Sequence, residues 1–311
     1  MNQAIYEEIL RATHRLDAGE TALAARDLLA IKNRTYDIKF PGMKAREYIP
    51  ISSDVNAGAE AIAYHQYSQY GAAKIISKNA TDIPRVDVSK AEFTSPVKTL
   101  GAAYGMEWHE LKRAAVSGLS VVEMRAKAAR RAIEQGIDDV MSVGDEPSGL
   151  EGFINHSAVH VGTATYGATS GNTALENYTE MSALVTLILN QTKGVHVPTD
   201  IIMPIANYQF IATQPWATTA SDLTVLEFFK RNHPGVNVSA WHRLENAGAN
   251  GTDERMICYA KDPEVIEGQL PLDFEQLPPE AHGLEMVINC LARVGGVQVR
   301  YPLAIEYLDG I

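Results

Sequence analysis

The chain of 311 residues carries a net charge of −11, and 46% of its residues are hydrophobic. This composition is typical of a soluble globular protein with a sizeable core, in one large or two ordinary domains. It argues against a chain that binds nucleic acid tightly, because tight binding needs a concentrated basic surface. No apolar run approaches the roughly 20 residues of a membrane helix. The two cysteines, Cys258 and Cys290, are too few for a disulfide framework and lack the spacing of a metal site.

The charge is unevenly distributed along the chain. Residues 1–131 hold 19 basic and 15 acidic residues, a balance of +4, whereas residues 132–311 hold 8 and 23, a balance of −15. Such asymmetry predicts that two surfaces of the protein meet different environments. The first residues are acidic where a secretory signal is basic, so we expect synthesis in a reducing interior.

In chain order, apolar spacing first predicts two short helices broken near Gly19, followed by an irregular link over 36–51. Residues 52–98 then read as a long two-stranded excursion with few large apolar anchors. Tyr64, Tyr67 and Tyr70 recur every three residues without basic residues between them, which favours packing against another molecule over stacking on bases. An isolated two-stranded ribbon is marginally stable at best, so this excursion needs a neighbour.

A long helix is predicted over 120–141. Its apolar residues fall on one stripe at a period of 3.6, and Ser120 with Glu123 forms a capping box. Gly144 supplies a residue that tolerates positive φ after the helix, and Pro147 prevents its continuation. At about 1.5 Å per residue the helix is a rod of roughly 33 Å, which we call the spine helix.

The remaining elements alternate between helix and strand. Strands are predicted over 97–104, 158–167 and 200–204, and helices over 107–115, 175–191, 208–212 and 223–231. The segments 236–241 and 255–260 are predicted to pair around a Gly/Asn turn. Residues 268–279 read as a proline-rich link, and 295–308 as a strand pair or a sheet edge.

The search for chemical motifs finds no catalytic constellation. His156 and His160 are four residues apart but lack the glutamate of a His-Glu-x-x-His zinc motif, and no Lys-Ser/Thr follows the glycines of 144–152 as it would in a phosphate-binding loop. No nucleophile elbow is present. An α/β enzyme with a scattered site stays open as an alternative at this point, and no cofactor or metal is expected.

Several segments, in their order along the chain, resemble one family. They are the helical N-terminal region, the long excursion, the spine helix, the glycine-rich run to Asn155, the α/β lobe and the terminal strands. Gly71–Ile76, Asp82–Val88 and Arg300–Ala304 carry most of the likeness. The chain resembles the major capsid proteins of tailed bacteriophages with the Hong Kong 97-type fold, in the branch formerly classed as a domain of unknown function.

The resemblance implies an α+β fold divided into four parts. Residues 1–35 would be the N-terminal arm, and 52–98 the extended loop that overlaps a neighbouring subunit. The peripheral domain would combine 36–51, 99–169 and 286–311, with the spine helix at 120–141. Residues 170–285 would form the axial domain at the centre of pentamers and hexamers.

The resemblance also implies which residues meet other molecules. The expected inter-subunit contacts are Tyr64, Tyr67, Tyr70, Lys74, Lys78 and Arg85. The basic residues expected to face packaged DNA, with weak and non-specific contact, are Arg125, Lys127, Arg130 and Arg131. No pair can be assigned to covalent crosslinking, so Lys74, Lys78 and Lys90 are not predicted to form crosslinks.

The implied function is that of a structural protein of the virion, not an enzyme, made in the cytoplasm of a host bacterium. It would self-assemble into an icosahedral shell together with portal and scaffold proteins and, in some heads, decoration proteins, with no membrane contact. No long scaffolding region precedes the arm, so a scaffold, if one is used, is expected to be a separate protein. An encapsulin-type nanocompartment and a tail or decoration protein are the structural alternatives.

Overall fold

A computed structural model describes residues 41–75, 85–110, 112, 121–217 and 223–311 of the chain. The predicted arm at 1–35, the two predicted N-terminal helices, Lys78, and Ser120 of the predicted capping box lie outside these residues. Of the helix predicted over 107–115, residues 111 and 113–115 lie outside them as well. Residues Met43–Ile311 form one compact unit.

The described elements are five helices and sixteen strands. The helices are α1 (Ala45–Tyr48), α2 (Val121–Ser142), α3 (Ala174–Gln191), α4 (Ile205–Thr213) and α5 (Val225–Asn232). The strands up to the first α/β crossover are β1 (Ile51–Ser52), β2 (Ala61–Tyr70), β3 (Asp87–Pro96), β4 (Lys98–Glu107), β5 (Gly144–Asp145), β6 (Leu150–Glu151) and β7 (His160–Thr163). The later strands are β8 (Asp200–Met203), β9 (Asn237–Ala240), β10 (Arg255–Tyr259), β11 (Ile266–Gln269), β12 (Leu272–Gln276), β13 (Glu280–His282), β14 (Glu285–Val294), β15 (Val297–Val299) and β16 (Ile305–Asp309).

The predicted spine helix is present as α2, with 22 residues. Its stripe is buried as the period predicts: Ala129, Ile133, Ile137 and Val140 are all less than 9% exposed. The following Gly144 has φ of +84°, which confirms the predicted glycine after the helix. On the same helix, buried Asp138 accepts from the amide of Ala45 at 2.8 Å and from Nε of Arg243 at 2.9 Å, so the spine also joins α1 to the 242–244 turn.

The structure contains two long antiparallel strand pairs. The first, β2 with β3, precedes the spine in the chain, and the second joins β4, before the spine, to β14, after it. β2 and β3 form the predicted two-stranded excursion, with ten residue pairs from Ala61↔Pro96 to Tyr70↔Asp87. We call this pair the hairpin. β4 pairs with β14 over ten further positions, and β12 and β13 flank the other edge of β14. The spine packs on this second sheet, and Ala126 and Ala129 let it come close.

A five-stranded sheet in the order β7-β16-β10-β8-β9 forms the middle of the α/β region. Both α3 and α5 begin with a complete capping box, Thr173 with Glu176 and Thr224 with Glu227, which satisfies free amides at their N-termini. These helices cover one face of the sheet in a second core cluster around Met181, Ile188 and Phe229. Side chains on the other face of the sheet are part of the main core cluster, to which the spine also contributes.

Two predictions of strand arrangement are wrong, and a third is right in part. The segments 236–241 and 255–260 do not pair with each other, because β8 lies between β9 and β10. The predicted link 268–279 contains β12 and the end of β11, with its prolines between and after the strands. The tail 295–308 is predicted as a strand pair or a sheet edge. β15 is an edge strand, next to β11 in the three-stranded sheet, which confirms the second alternative, but β15 and β16 do not pair and β16 lies inside the five-stranded sheet. None of the described helices combines the length and apolarity that a transmembrane span requires.

Candidate functional site

Among the residues that the structure describes, the hairpin contacts the rest of the chain at its base. There Ile62 is 9% exposed, and Ser95 donates its hydroxyl to the carbonyl of Gly295 at 2.8 Å. Tyr64 stacks on Phe93 of the opposite strand, with ring centroids 5.2 Å apart. The hydroxyl of Tyr64 donates to the carbonyl of Val299 at 3.4 Å. These contacts fix the direction in which the hairpin leaves the body.

Beyond the base the hairpin exposes large side chains to solvent. Tyr67 is 62% exposed, Tyr70 56% and Val88 52%. Burying such a side chain contributes roughly 1.5–3 kcal/mol to stability. These side chains are exposed, so the hairpin does not gain that stabilisation. An exposed apolar surface on a two-stranded ribbon is typical of a contact with another protein.

The structure distributes the predicted contact residues over different surfaces. Because side chains alternate along a strand, Tyr64 and Tyr70 lie on one face of the hairpin and Tyr67 on the other. The ring of Tyr64 is committed in part to its own chain, since the guanidinium of Arg300 lies 5.7 Å from it. Lys74 and Arg85 are exposed near the tip. Their contact with a second subunit stays a prediction.

A groove of about 700 Å³ opens between the hairpin base and the glycine-rich turn that follows the spine. Its first wall is the hairpin, with Gln66 and Phe93. Its second wall is the turn, with Val143, Glu146 and Glu151. Its floor includes β15, a strand within the predicted tail 295–308. Sequence periodicity gives no signal for this groove, because its walls come from segments about 50 and 150 residues apart.

The four basic residues of the spine do not form one patch. Arg125 and Arg130 flank the buried stripe on opposite sides, as the 3.6-residue period requires, whereas Lys127 lies on the exposed side. Arg125 donates to the carbonyl of Gly105 at 2.6 Å and pairs with Glu110 at 2.7 Å. Arg130 lies 5.6 Å from the ring of Phe274. Arg131 is partly buried.

The two histidines singled out by spacing have separate partners. Nε2 of His156 is 3.0 Å from Oε2 of Glu151, and burial lowers the pKa of His156 although Glu151 acts in the opposite direction. Nδ1 of the exposed His160 is 2.5 Å from Oε1 of Glu306, whose side chain is 1% exposed. Burial raises the pKa of Glu306, and the bond with His160 opposes this. Within the described residues no three His, Cys, Asp or Glu side chains group as a metal site.

The solved structures similar in fold include capsids. The capsid of Myoviridae phage XM1 matches with a TM-score of 0.82 at 17% identity, over 93% of this chain and 99% of that chain. The capsid of an empty GTA particle matches with a TM-score of 0.65 at 12% identity, over 93% and 98%. Mycobacterium phage Ogopogo matches with a TM-score of 0.59 at 12% identity, over 92% and 99%. At these identities the similarity concerns the fold, and it confirms the Hong Kong 97-type architecture predicted from the sequence.

Comparison by sequence gives the family. No curated protein matches the chain. Residues 71–311 match the family model of the major capsid protein. That match spans more than three quarters of the 311 residues and includes the hairpin from its tip onward, the spine helix and both sheets that pack on it. The chain therefore belongs to the major capsid protein family.

Proposed function

We propose that the protein self-assembles as pentamers and hexamers into the icosahedral head shell that encloses phage double-stranded DNA. The hairpin is the observation that carries this proposal. Within the described part of the chain its ten-pair ladder is anchored at the base, and Tyr67, Tyr70 and Val88 are exposed. A ribbon of two strands needs further packing to be stable, and in a shell a neighbouring copy supplies it.

The proposal assigns a role to each part of the chain. Residues 52–98 overlap a neighbouring subunit, with Tyr67, Tyr70, Lys74, Lys78 and Arg85 in the contact and Tyr64 at its base. Residues 170–285 lie at the centre of each pentamer or hexamer, and 1–35 form an arm. The remaining parts, 36–51, 99–169 and 286–311, form the peripheral domain around the spine.

The inner surface in this proposal is the more basic one. Arg125, Lys127, Arg130 and Arg131 lie towards packaged DNA and reduce its repulsion from a shell whose subunits carry a net charge of −11. Arg125 is tied to Glu110 and Arg130 to Phe274, so the contact of each subunit with DNA is weak. Confinement, not affinity, retains the DNA.

The role is structural, and the partners follow from it. A portal and a scaffold protein complete the head, decoration proteins bind where a head has them, and the subunit is made in the cytoplasm of the host bacterium. An encapsulin-type compartment is the less favoured alternative, because the matching family is that of the major capsid protein.

Sedimentation tests the proposal directly. The full chain is expressed alone and together with the scaffold protein of the same phage, and the lysate is separated by velocity sedimentation and imaged by negative stain. Closed shells far heavier than the 33.9 kDa subunit are expected. A stable monomer or dimer under every condition contradicts the proposal.

A further inference from the structure

One imidazole closes the turn between β6 and β7. Nδ1 of His156 accepts from the amide of Ala158 at 3.2 Å, and Nε2 of the same ring lies 3.0 Å from Oε2 of Glu151. A backbone N–H can only donate, so Nδ1 carries no proton in this arrangement. His156 is therefore neutral, with its proton on Nε2, from which it donates to the carboxylate of Glu151. We call residues 155–158 the His156 turn.

Further hydrogen bonds hold the turn around the ring. Oε1 of Glu151 accepts from the hydroxyl of Ser157, so the same carboxylate holds two side chains of the turn. The amide of Val159 donates to the carbonyl of His156 at 3.2 Å. His156 itself is 8% exposed. The buried ring thus joins the start of the turn to its end.

Glu151 is the charged group in direct contact with the ring. The charged and titratable groups on the elements packed around the turn are Glu146, Glu151, Arg255, Arg300, Tyr307 and Asp309. Arg255 is paired with Asp309 at 2.6 Å, and Arg300 is paired with Glu267. The buried hydroxyl of Tyr307 donates to the carbonyl of Phe153. A charge on His156 therefore acts first on Glu151.

A second proton on this ring disrupts the closed turn. It can enter only at Nδ1, where it faces the N–H of Ala158, and two donors cannot form a hydrogen bond with each other. The amide of Ala158 then loses its acceptor, and a positive charge lies in a buried site, which is costly. Glu151 offsets part of that cost. Burial accordingly lowers the pKa of His156, and Glu151 opposes this.

Opening of the turn changes the groove. All four residues of the His156 turn line it, as do Tyr64 and Phe93 of the hairpin. The same wall meets the hairpin at Gly149, where a Cβ would lie 3.9 Å from Cγ of Pro96. When the ring of His156 leaves its buried site, this wall recedes and the groove becomes wider.

We propose that the His156 turn is a proton-operated latch. With a neutral ring the turn is closed, and protonation of Nδ1 releases the amide of Ala158, opens the turn and widens the groove at the hairpin base. The latch is a property of the single subunit. It goes beyond the proposed shell function and does not depend on it.

Acid favours the open turn. In the open turn His156 is exposed and has its ordinary pKa of about 6.5, whereas in the closed turn burial lowers the pKa. The open form therefore binds the proton more tightly. Because one proton is taken up on opening, the ratio of open to closed turns rises by up to about tenfold per pH unit below about pH 6.5. The rise ends where the closed turn is protonated as well.

Hydrogen exchange of the unassembled full chain tests the latch. Protection of the amides of Ala158 and Val159 is measured at pH 7.5 and pH 5.0 and corrected for the intrinsic exchange rates. We expect the protection of both amides to be at least about threefold lower at pH 5.0, while the protection of β14 changes less than that. Equal protection of Ala158 and Val159 at the two pH values overturns the proposal.

Three variants separate the latch from general effects of acid. His156→Gln can still accept and donate a hydrogen bond but takes up no proton, so its protection is expected to be the same at both pH values. Glu151→Gln removes the charge that favours the protonated ring in the closed turn, and its loss of protection is expected to exceed that of the unmodified chain. His160→Gln is the control, because His160 contacts Glu306 instead. A response that persists in His156→Gln, shrinks in Glu151→Gln or disappears in His160→Gln contradicts the latch.

A further measurement uses the unmodified chain. With ¹⁵N-labelled histidine, the chemical shifts of the two ring nitrogens of His156 report which of them carries the proton. We expect the proton on Nε2 at pH 7.5, and a proton on Nδ1 at that pH overturns the proposal. Because every measurement uses the unassembled subunit, a failed latch leaves the shell function standing, and a chain that forms no shells leaves the latch standing.

Discussion

Arg255 and Asp309 form a bidentate ion pair inside the protein, with Nε to Oδ1 at 2.6 Å and Nη2 to Oδ2 at 2.7 Å. The two residues are directly opposite each other on β10 and β16. The remaining Nη1 donates to the carbonyl of Ile154 at 2.7 Å, and the guanidinium lies 4.8 Å from the ring of Tyr307. One side chain thus links the five-stranded sheet to the turn that follows the spine.

Removal of one partner is expected to be costly. Asp309→Ala leaves the Arg255 charge buried without a counter-ion, and breaking such a pair lowers the free energy of unfolding by about 3–5 kcal/mol. The exposed pair of Arg46 and Asp273, at 2.9 Å, is the control: Asp273→Ala is expected to cost about 0–1 kcal/mol. Urea denaturation of the unassembled subunit measures both. Equal losses contradict the assignment.

Gly152 is expected to tolerate no side chain. A Cβ built there would lie 2.3 Å from the carbonyl carbon of Val143 and 2.5 Å from the amide nitrogen of Gly144. Both neighbours are backbone, so Gly152→Ala must displace the turn, and we expect a loss of about 2–3 kcal/mol. Gly235→Ala is the matched control, since a Cβ there meets nothing within 4 Å. It is expected to be neutral or slightly stabilising. Similar stability of the two variants in thermal unfolding contradicts the prediction.

Glu306 is expected to make stability depend on pH. Burial raises the pKa of Glu306 in the folded chain above its unfolded value. The folded state therefore holds this proton more tightly, and the free energy of unfolding falls as the pH rises from the unfolded pKa through the folded one. Glu306→Gln removes this dependence. We expect the variant to gain stability relative to the unmodified chain at pH 7 and to gain little at pH 4.

The partner of Glu306 provides the control. His160 contacts the same carboxylate, and this contact opposes the rise in the pKa of Glu306 that burial causes. The comparison is therefore repeated with His160→Gln in both backgrounds. The raised pKa is contradicted if Glu306→Gln shifts the urea midpoint by the same amount at pH 4 and at pH 7.

Deletion of 71–81 is expected to stop shell formation without unfolding the subunit. The hairpin contacts the body through Ile62, Ser95 and Tyr64 at its base, and all of these remain. Circular dichroism should keep its helical signal, and sedimentation should show capsomers or single subunits. Unchanged yields of shells would count against the role of the hairpin between subunits.

The isolated subunit is expected to bind duplex DNA only in the non-specific range, about 10⁻⁴–10⁻⁶ M at physiological salt. Each neutralised phosphate contributes about −0.9 to the slope of log K against log salt. Three of the four spine cations, Arg125, Arg130 and Arg131, already have partners in the chain, so the slope should be shallow. Nanomolar, sequence-dependent binding in an anisotropy titration is the contrary result.

The sequence predicts the elements whose pattern is local. The spine helix is predicted from the apolar stripe through Ile133 and Ile137 and from Gly144 after its end. In the structure both isoleucines are buried and Gly144 has a positive φ, as the pattern requires. The hairpin is predicted from the alternation of apolar and polar residues and from the small number of large apolar side chains in this segment. In both elements the residues that decide the structure are close neighbours in the chain.

Pairing between distant strands is not predicted in the same way. β14 pairs with β4, almost 190 residues earlier. Alternate residues of β14 are buried, namely Ile288, Cys290, Ala292 and Val294, but this period of two does not identify the strand that pairs with it. β8 separates β9 from β10 although the sequence suggests a direct pair. The groove beside β15 depends on three such long-range placements, and for this reason no local pattern indicates it.

The position of β16 has a consequence for how the subunit is made. β16 lies between β7 and β10, so Ile305–Asp309 must arrive before His160–Thr163 has a strand to pair with. A ribosome adds about 5–20 residues per second, and the roughly 145 residues between them take about 7–30 s. During that time β7 is a strand without a sheet, exposed to aggregation. The nascent chain is therefore a candidate client for chaperones, and folding of the five-stranded sheet is completed late, after most of the polypeptide has left the ribosome.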